Sequence, residues 1–128
     1  MIQQVTKGIR VSVETRYEGS FLKNSISHHS FRYLITIENQ SKETVQLIKR
    51  YWIINESRKR PQVVEGSGVV GKKPIIKSGQ VIQYESGCIL NSPTGSMKGY
   101  YSMINLSSTN EFKLEIPVFQ LETPFSLN

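Results

Sequence analysis

The chain has 128 residues, with 16 Lys+Arg against 10 Asp+Glu, a formal net charge of +6 and an isoelectric point near 9.6. All ten acids are glutamate, alanine is absent, there is one cysteine (Cys88), and the only two histidines are neighbours, His28 and His29. This composition excludes an intramolecular disulfide, multi-cysteine zinc sites, EF-hand loops, Asp-based magnesium sites and triads that use Asp. The length suits one domain over residues 1–128, burying roughly two-thirds of its unfolded surface.

The first twenty residues mix charged and single apolar side chains, and no stretch has signal-peptide or membrane-span length. The expectation is a cytoplasmic protein that keeps its thiol free and does not enter a membrane.

Ile, Val and Thr make up 31 of 128 residues, a composition that favours strands. Gly8–Tyr17 alternates Ile9, Val11, Val13, Thr15 and Tyr17 with Arg10, Ser12, Glu14 and Arg16, as a strand with one buried face requires. Glu18–Ser30 is polar and reads as a long loop, with His28-His29 as an exposed pair. Phe31–Asn39 alternates again, and Thr44–Asn55 forms a longer strand containing Trp52. Asn55-Glu56-Ser57 is a turn, and Arg58-Lys59-Arg60 reads as a hairpin tip. Three more strands are expected at Gln80–Tyr84, Tyr100–Leu106 and Phe112–Phe119. Pro117 places the last at an edge or a bulge, and the tail beyond it is read as loose or packed along an edge. Tyr33, Trp52 and Tyr84 are assigned to the core, and Cys88 is read as a buried, inert thiol. Six or seven short strands with polar turns predict an all-β, antiparallel β-sandwich.

The charge is concentrated. Residues 49–77 hold eight Lys+Arg (Lys49, Arg50, Arg58, Lys59, Arg60, Lys72, Lys73, Lys77) against two Glu, a net +6 equal to that of the whole chain. Two readings are open: a patch for a polyanion, or solvated charges at a hairpin tip and along edges. No aromatic-rich RNA signature or recognition helix accompanies them, so sequence-specific nucleic-acid binding is not expected.

Within this segment, Gly66-Ser67-Gly68-Val69-Val70-Gly71-Lys72-Lys73 matches both G-x-G-x-x-G and G-x-x-x-x-G-K phosphate-binding patterns. Both need a helix after the glycines. Pro74 and the β-branched Ile75-Ile76 deny it, so neither a dinucleotide fold nor a P-loop is expected. Two readings remain here too. The loop is an anion nest flanked by Lys72 and Lys73, or its glycines permit a tight turn while Val69 and Val70 plug the core. The glutamates are dispersed, and the histidine pair has no metal-ligand or catalytic spacing, so no active site is predicted.

The same run, Gly66–Gln80, followed by Tyr84-Glu85-Ser86-Gly87-Cys88 and Ser92–Tyr100, resembles the ApaG (CorD) family. Phe31–Asn39, Leu47, Arg50–Ile54 and Ile116–Phe119 fit it as well, so the resemblance covers about residues 5–124 and implies that these form the core of the domain. Two departures are Ser78, where the family often has proline, and Lys72-Lys73, which makes this loop more cationic. The resemblance implies an immunoglobulin-like or fibronectin type III-like sandwich. In bacteria the family name is linked to cobalt-resistance and magnesium-efflux phenotypes. In eukaryotes similar domains sit in F-box proteins and in a DNA-polymerase-delta-interacting protein, which implies an adaptor role. It implies no catalytic residues and no cofactor. Mg²⁺ or Co²⁺ would want clustered oxygen or imidazole ligands, which this sequence does not bring together, so any metal link is expected to be indirect. The expected function is a non-enzymatic module binding a protein partner through exposed strands or loops, with strand addition at an edge as one route. The alternative is binding of pyrophosphate, nucleotide or another small polyanion at Gly66–Lys73. Homodimerisation through an edge strand is left open.

Overall fold

Period-two alternation determines the architecture. In the computed structural model, which describes residues 1–124, nine strands form: β1 (Ile2–Thr6), β2 (Ile9–Lys23), β3 (Ile26–Asn39), β4 (Val45–Glu56), β5 (Gln62–Ser67), β6 (Ile75–Ile76), β7 (Val81–Leu90), β8 (Thr94–Asn105) and β9 (Glu111–Glu122). They make two antiparallel sheets, ordered β1-β2-β3-β7 and β5-β4-β8-β9, with β6 paired to the start of β4. The inner faces meet in one core. Ile9, Val11 and Val13 of β2 and Phe31, Tyr33, Ile35 and Ile37 of β3 face Leu47, Trp52, Tyr101, Met103, Leu114 and Phe119 of the other sheet. Trp52 is its aromatic centre, edge-on to Phe119 at 5.8 Å and to Tyr101 at 6.5 Å, and tilted against Tyr33 at 5.5 Å. Each such pair contributes about 0.5–1.5 kcal/mol beyond its buried area.

The β-sandwich expected from the sequence is what forms, and Tyr33 and Trp52 are buried in it, with Tyr84 packed against it. Pro117 satisfies both of its readings. β9 is an edge strand, and two of its residues, Pro117 and Val118, stand opposite Lys98 alone in the shifted register, so the missing N–H breaks no ladder bond.

Several expectations are corrected. Glu18–Ser30 is a hairpin arm, not a loop. β2 and β3 pair out to Lys23↔Ile26 around Asn24-Ser25, both at positive φ (53° and 61°), after an irregularity between Tyr17 and Gly19. The arm runs beyond the sandwich, so both its faces are largely solvated and no alternation reports the strands. His29 is not exposed. It is buried in β3 with Nδ1 2.7 Å from Ser20 Oγ, which also bonds the Tyr17 hydroxyl. His28 stacks on Phe21 at 5.1 Å. Of the two readings of the chain after Pro117, packing along an edge is the one that forms, since β9 continues through Glu122 against β8; residues 125–128 of that tail lie outside the described residues. The strand expected at Gln80–Tyr84 runs on to Leu90 as β7, so Cys88 lies within it.

Candidate functional site

The two flanks of the sandwich differ. Along one, β1 and β9 contact each other beside a shallow cavity of about 690 Å³ lined by Ile2, Val13, Val118 and Phe119, and the other is left open. Opposite them, β7 and β5 end their sheets as unpaired edges, and a cavity of about 540 Å³ lies between them. Tyr33, Arg50, Trp52, Val64, Tyr84, Ser86 and Cys88 line it, with Val69-Val70-Gly71 forming a lip. A second, more apolar cavity of about 490 Å³ shares Val69, Val70, Tyr84 and Glu85 with the first and extends the groove to Pro74 and Ile82. Together they follow β7 from Ile82 to Ile89, roughly 23 Å of strand.

The glycine loop builds the lip. Val69 and Lys72 exchange backbone hydrogen bonds at 2.8 and 3.0 Å, closing a two-residue turn whose central residues, Val70 and Gly71, both have positive φ (48° and 74°). Gly68 donates to Ile48 O at 2.7 Å and has φ +60°. A Cβ there would strike the Lys72 carbonyl, so this position needs glycine on two counts. The expectation that Val69 and Val70 both plug the core holds for Val69 alone, because Val70 is 67% exposed on the lip.

The remaining predicted site residues fall into two separate places. Gly66, Ser67, Gly68, Gly71, Lys72 and Lys73 lie at the far end of β5, whereas Arg58, Lys59 and Arg60 form the exposed tip joining β4 to its near end. The six residues of β5 separate them by roughly 20 Å. The basic segment therefore does not converge on one concave site. Lys59 is engaged at the tip, paired with Glu56 at 3.7 Å and bonded to Asn91. The amides of Gly68, Val69 and Lys72 donate to carbonyls of the fold, so three donors of the supposed nest point inward.

Arg50 takes no part in either predicted cluster, yet it is the cation lining the larger of the two cavities on the open flank. Its Nη1 donates to Ser67 O at 3.0 Å and Gly68 O at 2.9 Å, and its guanidinium lies across Gly66, where a Cβ would come within 2.6 Å of Cζ. A signal for it existed in the sequence: Arg50, Trp52 and Ile54 share one face of β4, an inward-facing row that begins with a charge. Beside it, burial pushes the phenols of Tyr33, Tyr84 and Tyr101 up, and the Arg50 charge draws each partly back. The Tyr84 and Tyr101 hydroxyls are bonded to each other. Burial, helped by the Glu56 charge, pushes the Cys88 thiol up to about 11, so it is protonated and poorly nucleophilic at neutral pH. Among the described residues, no group of three or more His, Cys or Glu is placed to hold a metal ion. No helix among them is long and apolar enough to cross a membrane.

Residues 20–105 match the ApaG domain. The chain is 42% identical over 124 residues to Protein ApaG of Brucella abortus (strain S19), covering 97% of this chain and 95% of that one. It is also 42% identical over 116 residues to Protein ApaG of Erwinia tasmaniensis, covering 91% and 92%. Among solved structures, the crystal structure of a Bordetella pertussis ApaA protein superposes with a TM-score of 0.83 at 35% identity, over 91% of this chain and 94% of that one. The X-ray structure of a structural-genomics target gives 0.86 at 37% identity, over 91% and 88%. The glycine lip, the strands beneath it and the open flank all fall within the matched region, and the chain belongs to the ApaG family.

Proposed function

We propose that this chain is a non-enzymatic protein-interaction module, cytoplasmic, whose open flank receives an extended segment of a protein partner against the edge of β7. The observation that carries this reading is the continuous groove along the unpaired Ile82–Ile89 edge, with the core aromatics as its floor and the Val69–Gly71 lip as its wall. An added strand would find free backbone groups on β7 and alternate side-chain pockets beneath, the combination by which sheet edges bind peptides. Two exposed apolar side chains on the lining, Val70 and Ile89, would gain burial in a complex. A link to magnesium or cobalt handling would then act through the partner rather than through a bound ion. The polyanion reading of Gly66–Lys73 is less favoured, because the loop's inward-pointing amides are already used.

The test is selection from a displayed library of random dodecapeptides, with the binding site of the enriched peptides mapped by amide chemical shifts of the labelled protein. Shifts concentrated at Ile82–Ile89 and Val69–Gly71, and small at β1 and β9, are expected. Enriched peptides that perturb only other surfaces, or no enrichment at all, would overturn the proposal.

A further inference from the structure

Arg50 stands midway along the groove. It lines the cavity beside Tyr84, Ser86 and Cys88, while the groove continues past it toward Ile82 on one side and Ile89 on the other. Its Nη1 is held by two backbone carbonyls, which fix the plane of the guanidinium. Among the described residues no carboxylate lies within ion-pair distance of it, and Nε and Nη2 donate to none of their acceptors. The other charges on the lining are Lys72, a second cation, and Glu85, whose carboxylate is held by Arg32 at 3.3 Å. The groove thus has an apolar floor, a fixed guanidinium with donors to spare, and an unbalanced positive charge.

Resting on the strand-addition reading above, we infer that the partner segment carries an acidic side chain, Asp or Glu, whose carboxylate seats on the Arg50 guanidinium while flanking apolar residues lie over Val70, Ile82 and Ile89. Guanidinium and carboxylate match in geometry, and a half-buried site strengthens their charge-assisted hydrogen bonds. A side-chain carboxylate fits better than a chain end, because the groove runs on in both directions from Arg50 and a terminus would leave half of it empty.

The probe is a positional-scanning library of fluorescent decapeptides, acetylated and amidated at the ends, in which each position is varied among Glu, Asp, Gln and Asn. Binding is read by anisotropy. On the native protein, one central position should prefer the acid over its amide by about ten-fold, the worth of one charge-assisted hydrogen bond. Arg50→Gln should reduce that preference to less than about two-fold, and Arg50→Lys should keep part of it. Because the acid–amide comparison is made on the native protein, it stands even where a variant folds poorly. Equal binding of acid and amide, with peptides still shifting the β7 amides, would overturn this inference and leave the strand-addition reading intact. A preference that appears only when the peptide C-terminus is left free would overturn the side-chain assignment. No peptide binding at all would remove the underlying reading, and this inference with it.

Discussion

Val70 is a β-branched residue at φ 48°, where Cβ crowds its own carbonyl, and two-thirds of its side chain faces solvent. Its turn, Val69-Val70-Gly71-Lys72, has both central residues at positive φ, the geometry for which Asn-Gly is the preferred pair. A valine there costs roughly 1 kcal/mol and buries little in return. Val70→Asn should therefore raise stability by about 1 kcal/mol in urea denaturation while weakening the binding of groove peptides. A variant both less stable and binding normally would mean that Val70 serves packing and not the cleft. Arg50 tells a complementary story at this scale. Counting it with the other cations does not set it apart, because charge totals along a chain do not record which face of a strand a residue occupies.

Among the elements, the turn from β3 into β4 depends on a single side chain. Asn39 is fully buried; its amide nitrogen donates to Glu43 O at 2.8 Å and Ile76 O at 2.9 Å, and its Oδ1 accepts from Ser41 N at 3.0 Å and Ser41 Oγ at 2.6 Å. It thereby fastens the short β6 to the end of the sandwich. Asn39→Ala leaves these partners unpaired away from water and should cost about 2–4 kcal/mol, read as a lower denaturation midpoint with faster amide exchange at Ile75 and Ile76. An effect below about 0.5 kcal/mol would mean that water replaces the amide. The sequence marks Asn39 as a turn residue but not as the tie to β6, because that contact spans 37 positions. Strands that bury a face, such as β2 at Ile9–Val13 and β3 at Phe31–Ile37, are legible from alternation. β1, β5 and the β2–β3 arm are not, because they are largely exposed and are held by backbone pairing, which leaves no periodic trace. The cleft is not legible for a different reason: it lies between β5 and β7, edges of two sheets that the chain brings to one flank only through the fold.

At the scale of the whole molecule, the cleft floor and the core beneath it hold four ionisable groups where burial opposes their charged forms: Cys88, Tyr33 and Tyr84 on the lining, and Tyr101 below them. Unfolded, the thiol ionises near its ordinary 9.0 and the phenols near 10.0; folded, all four hold their protons to higher pH. In the interval the unfolded chain binds fewer protons than the folded one, so stability falls as pH rises. Their contribution is whole below about pH 9, is eroded between 9 and about 11 as the Cys88 window is crossed, and continues to fall above 10 as the tyrosines enter theirs. Urea denaturation at steps across this range should give steadily lower midpoints. Cys88→Ala should flatten the part between about 9 and 11, and Tyr84→Phe the part above about 10. A midpoint that holds level to about pH 11 would mean that the open flank admits enough water to solvate the thiolate and phenolates. The floor of the cleft would then be wetter than its packing implies, and a partner strand would have correspondingly less dry surface to cover.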